Sequence, residues 1–155
     1  MSFRITGLHP APFRPLFGLS DHELAARGVQ RCLVDAKPGF PDRIELRDAE
    51  PGERVLLLNY THQPAETPYR ASHAIFVLEG AQNRYDAVGA VPEALRVRPI
   101  SLRAFDEQHQ MVDADLTDGR ELESLIERFL ARFDVSYLQA HYAKRGCYAA
   151  RIERA

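Results

Sequence analysis

VLLLNYTHQPAETPYRASHAIFVLE, residues 55–79, decides the fold. Its two apolar runs, Val55–Tyr60 and Ala74–Leu78, have the length of strands. Between them lies a polar loop with His62, Tyr69, Arg70, Ser72 and His73. A pair of rigid strands holding a polar loop is a common way for a scaffold to present a site. The Ala74–Leu78 run is apolar on both faces, which predicts a central strand.

The flanks continue the strand pattern. Phe3–Leu8 alternates Phe3 and Ile5 with Arg4 and Thr6, the period of a short strand. Pro10, Pro12 and Pro15 then force a turning path. Ser20-Asp21-His22-Glu23 is a capping box that opens a short helix over Asp21–Arg27, ended by Gly28. Val29–Asp35 and Arg43–Arg47 read as strands around a Lys37–Pro41 turn, with Ile44 and Leu46 inward. Glu50-Pro51-Gly52-Glu53 carries the type II turn signature.

Beyond residue 79 the chain is loop-rich to Val91. Leu95–Phe105 alternates as a strand whose register slips at Pro99. Gln110–Leu116 is a further strand. Asp118 and Glu121 form a second capping box, and Leu122, Leu125, Ile126, Phe129, Leu130 and Phe133 follow at helical spacing. This predicts one long amphipathic helix covering a sheet. Val135–Tyr142 and Cys147–Glu153 read as a terminal strand pair around a Lys144-Arg145-Gly146 turn, with Tyr148, Ala150 and Ile152 on one face. The expected class is α+β. It comprises a mostly antiparallel sheet or partly closed barrel of about seven to nine strands, with a short N-terminal helix and the long C-terminal one.

At 155 residues the chain has the size of one domain, with no repeat or linker to divide it. A net charge of −2, with its 20 basic residues interspersed among acids, argues against a nucleic-acid footprint. The longest aliphatic run, Val55–Leu58, is far too short for a membrane span. The N-terminus MSFRITGL has no leader pattern. Two cysteines make no disulfide framework, so the reducing cytoplasm is the expected compartment.

No complete catalytic or cofactor motif is present; GxGxxG, the P-loop, GxSxG, CxxC and the EF-hand are all missing. Individual residues remain as candidates. His62 and His73 flank the polar loop, and on a hairpin their imidazoles could converge as an acid/base pair. Tyr69 and Arg70, after Pro68, suit capture of a carboxylate or phosphate. Cys147 follows Lys144 and Arg145, and positive charge near a thiol favours the reactive thiolate. A partner such as His141 or His62 would complete a Cys/His nucleophile. Asp42 and Arg43, on the stiff turn after Pro38 and Pro41, would form a second wall. Cys32, within a strand, reads as simple packing.

Taken together, several segments resemble the bacterial family called domain of unknown function 1203. They are FRITGL, DAKPGFPDR (Asp35–Arg43), Asp48–Val77, SLRAFD (Ser101–Asp106), the Leu122–Leu130 helix and GCYAARIER at the end. The resemblance covers essentially the whole chain and implies no activity. It does imply a cysteine after the Pro-Gly-aromatic-Pro turn and two alternating histidines before Gly-Cys-Tyr, the makings of a Cys/His metal or redox cluster. Here those positions hold Asp42, Gln139 and His141, and only one histidine and Cys147 are kept. Such departures weaken a metal site.

Three functional readings follow. The first is a small-molecule enzyme or binding domain for an anionic ligand. Its site would be built from the 62–73 loop, the 38–43 turn and the 141–148 turn. The second is a non-catalytic interaction module using the Leu122–Phe133 helix or a sheet edge. The third is a metal or redox protein centred on Cys147 and His141.

Overall fold

The computed structural model describes residues 2–155. Among the described residues nine strands form two antiparallel sheets, and neither closes into a barrel. The larger sheet is built from β1 (Phe3–Thr6), β5 (Asp86–Val88), β6 (Pro99–Phe105), β7 (Met111–Asp118), β8 (Tyr137–Tyr142) and β9 (Cys147–Arg154). Its spatial order is β5-β1-β9-β8-β6-β7. The smaller sheet is β2 (Gln30–Leu33), β3 (Arg54–Gln63) and β4 (Ala71–Leu78), in that order. The polar loop of the opening stretch is the tip of the β3–β4 hairpin.

Two apolar cores result. One lies on the larger sheet, where α3 (Leu122–Leu130) packs Leu122, Leu125, Ile126, Phe129 and Leu130 against it. The other fills the smaller sheet and includes Leu24 of α1 (Asp21–Ala25). The Ser20–Glu23 capping box forms in full. Among the described residues no helix is long and apolar enough to cross a membrane.

Several expectations need correction. α3 spans only nine residues and stops at Leu130. Phe133 lies beyond it and is fully exposed. Asp118 binds the amide of Arg120, and a 3-10 turn over Gly119–Glu121 precedes the helix. Glu93–Arg96 is a short helix, α2, not part of a strand. Pro92 at its N-cap and Glu93 in its first turn outweigh the alternation of Leu95 and Val97. β4 is an edge strand of its sheet, since β3 takes the centre.

Arg43–Arg47 is a buried turn rather than a strand. The Asp42 carboxylate accepts from the amides of Ile44 at 3.1 Å and Glu45 at 2.5 Å, and that local bonding displaces a ladder. The same carboxylate accepts from Leu78 N at 2.6 Å, while Arg43 N donates to Phe76 O at 3.1 Å. Residues 42–43 thus cover the outer edge of β4.

Candidate functional site

Two β-bulges bring the sheets together. In the β3–β4 ladder Thr61 faces Ser72 and Gln63 faces Ala71, so His62 is the extra residue. In the β8–β9 ladder Ala140 faces Ala150 but His141 faces Tyr148, which leaves Ala149 over. A bulge re-aims the side chains next to it. Tyr148 therefore stands beside His141, not on the face of Ala150 and Ile152 as simple alternation predicts. The His62 ring stacks on Tyr148, with centroids 5.5 Å apart and planes 8° from parallel. It meets His141 edge-on at 4.8 Å.

Gln139 joins these two histidines. Its Oε1 lies 2.9 Å from His62 Nδ1 and 3.2 Å from His141 Nε2, and its Nε2 donates to His62 O at 2.8 Å. His141 Nδ1 faces Gly146 O at 2.9 Å. Both ring nitrogens of His141 thus face carbonyl oxygens, and a neutral imidazole can donate to only one of them. Burial, the largest influence, lowers the His141 pKa to about 3, helped by the Arg103 guanidinium. The Gly146 contact pulls the other way. Among the described residues no carboxylate stands against the ring to hold a charge, so burial prevails. Burial also lowers His62.

A cavity of about 550 Å³ lies between β4 and the β8–β9 turn. Its walls include Phe40, Arg43, His73, Arg98, Tyr142 and Cys147, with Lys144 and Arg145 exposed at the rim. The β8–β9 turn builds one wall. Gly146, at φ 77°, closes it by donating its backbone N–H to Tyr142 O, and Tyr142 and Cys147 pair across the strand ends.

Arg43 occupies the back of the cavity and is buried. Its Nε donates to Tyr148 O at 2.8 Å, Nη1 to Pro41 O at 2.6 Å and Nη2 to Cys147 Sγ at 3.1 Å. Among the described residues no carboxylate forms an ion pair with it; Asp48, the nearby acid, pairs with Arg98 at 2.5 Å. Arg43 and Arg98 lie over the Tyr142 ring, at 5.0 and 5.1 Å from its centroid. The Tyr142 hydroxyl is the buried side-chain polar atom left without a hydrogen-bond partner among the described residues. Burial pushes its pKa up to about 12, so it stays a donor.

The structure separates the candidates. Arg43, His73 and Cys147 share the cavity wall. His62 and His141 sit together in the bulge cluster and do not line the cavity. His62 and His73 do not pair: His62 bonds Gln139, whereas half-buried His73 has Nδ1 on Ala74 O. Arg70 donates to Pro64 O and ties its own loop, and exposed Tyr69 is not in the wall. Asp42 is fully occupied by three backbone amides. Among the described residues no three His, Cys, Asp or Glu side chains gather as a metal site. The sequence pattern did not single out Tyr142 or Arg98, and it marked Gln139 only as a replaced histidine. Tyr142 was within reach, because a tight Lys144–Gly146 turn places it opposite Cys147.

The fold is a two-sheet antiparallel α+β arrangement with a cation-walled cavity where the sheets meet. The sequence model of the family described as "Protein of unknown function (DUF1203)" matches residues 39–154, and the chain belongs to that family. No curated protein and no solved structure matches it.

Proposed function

We propose that the cavity binds a small anionic molecule. The supporting observation is Arg43, a buried guanidinium in the cavity wall that no carboxylate neutralises. Buried charges are ordinarily paired, because a lone one loses its hydration without compensation. A bound anion would supply the missing charge. A guanidinium also offers more donors than the three contacts of Arg43 use. Lys144 and Arg145 at the rim would draw such a ligand in, and the Tyr142 hydroxyl would give it a hydrogen bond. Two unpaired thiols suit a cytoplasmic setting.

Titration calorimetry with phosphate, citrate and small mono- and dicarboxylates tests this reading. At least one should bind the wild-type chain at low salt and weaken about tenfold or more in Lys144→Ser/Arg145→Ser. Both substituted side chains are exposed, so the variant should fold. If every anion fails to bind, the reading falls.

A further inference from the structure

Cys147 and Tyr142 give this cavity more than charge. The sulfur accepts a hydrogen bond from Arg43, a buried cation that has no acidic partner among the described residues, in a wall that also holds an unpaired hydroxyl. We propose that Cys147 is a nucleophile toward the ligand, a small carboxylate whose electrophilic carbon lies next to the acid group. The proposal rests on the anion-binding reading above.

In the step proposed, the Cys147 thiol releases its proton to solvent and the sulfur lone pair forms an S–C bond. The leaving group departs from that carbon with the bonding electron pair. Arg43 and the rim cations hold the carboxylate, and Tyr142 donates to one of its oxygens. No oxidant or metal enters.

Cys32 makes the proposal sharp. It is the more exposed of the two thiols, and burial nonetheless raises its pKa with no cation to offset it. Exposure alone therefore ranks Cys32 first, whereas the Arg43 contact ranks Cys147 first.

The test uses brief treatment of the whole chain with iodoacetate or neutral iodoacetamide, with peptide mass spectrometry at both cysteines. Iodide is the leaving group. Cys147 should be carboxymethylated by iodoacetate about tenfold faster than Cys32. The iodoacetate-to-iodoacetamide ratio should be about tenfold higher at Cys147 than at Cys32, and should fall in Lys144→Ser/Arg145→Ser. Tyr142→Phe should slow iodoacetate at Cys147 more than it slows iodoacetamide. Faster reaction of Cys32 with both reagents overturns the proposal. If phosphate or citrate binds by calorimetry while Cys147 stays inert, the nucleophile is wrong and the anion site stands. If Cys147 reacts quickly with both reagents and no anion binds, the anion reading fails too.

Discussion

His141 offers a stability prediction with a defined sign. Its ring is buried and held neutral, with a pKa lowered from an ordinary 6.5 to about 3. In the unfolded chain the same ring protonates as pH drops below 6.5. Between those values the unfolded state carries one more proton, so stability falls as pH falls, by about 1.4 kcal/mol per pH unit. The loss should reach about 3 kcal/mol near pH 4.5 and roughly 5 kcal/mol by about pH 3, where the folded ring itself begins to protonate. That is a large share of the ordinary stability of a domain.

Denaturant unfolding measured from about pH 7 to about pH 4, for the wild-type chain and for His141→Gln, isolates the effect from the carboxylates common to both. The variant starts less stable, since it disturbs a fully buried position, but its pH profile should be flatter by the same slope. The opposing influence is the pair of carbonyl oxygens facing both ring nitrogens. If they prevail, the ring charges inside the fold. Parallel pH profiles, or an NMR titration of the His141 ring with its midpoint at or above 6.5, would refute the reasoning.

Two further outcomes follow from packing. A Cβ added to Gly119 would sit 1.9 Å from Leu95 O, so Gly119→Ala should cost roughly 2–4 kcal/mol, measured by urea unfolding. Phe129→Ala should cost about 3–5 kcal/mol, whereas Phe133→Ala should change stability by less than about 0.5 kcal/mol in the same assay, because only the first ring is buried.

Much of the architecture was legible from short-range patterns. Alternation at Phe3–Ile5, the two apolar runs after Arg54, and the Lys144–Gly146 turn each mark a strand or hairpin that the structure contains. The Glu50–Glu53 turn closes as its Pro and Gly predict, with Gly52 at φ 94° and Glu53 N bonded to Glu50 O. Patterns that depend on a tertiary partner were not legible. Arg43–Arg47 alternates like a strand, but the Asp42 carboxylate takes its amides, and Leu46 adopts φ 54°. The stripe ending at Phe133 overran the helix because one apolar residue at the right spacing is exposed. Bulges at His62 and Ala149 leave no mark on composition, yet they decide which side chains meet. For the site, sequence placed Arg43 and Cys147 in the same neighbourhood through the 38–43 and 141–148 turns. It could not show that Arg43 lacks an acid, since that depends on Asp48 pairing with Arg98 and Asp42 with amides.

The contacts of residues 42 and 43 with β4 have a consequence for solubility. An open strand edge is a template on which another chain can add, and proteins guard such edges. Here the guard is the turn that carries Arg43, fastened at Phe76 O and Leu78 N. Swinging this turn outward would bare backbone to intermolecular pairing, so it is poorly suited to act as a lid. Access to the cavity is then left to the Lys144–Arg145 rim, while the wall bearing the buried cation stays fixed.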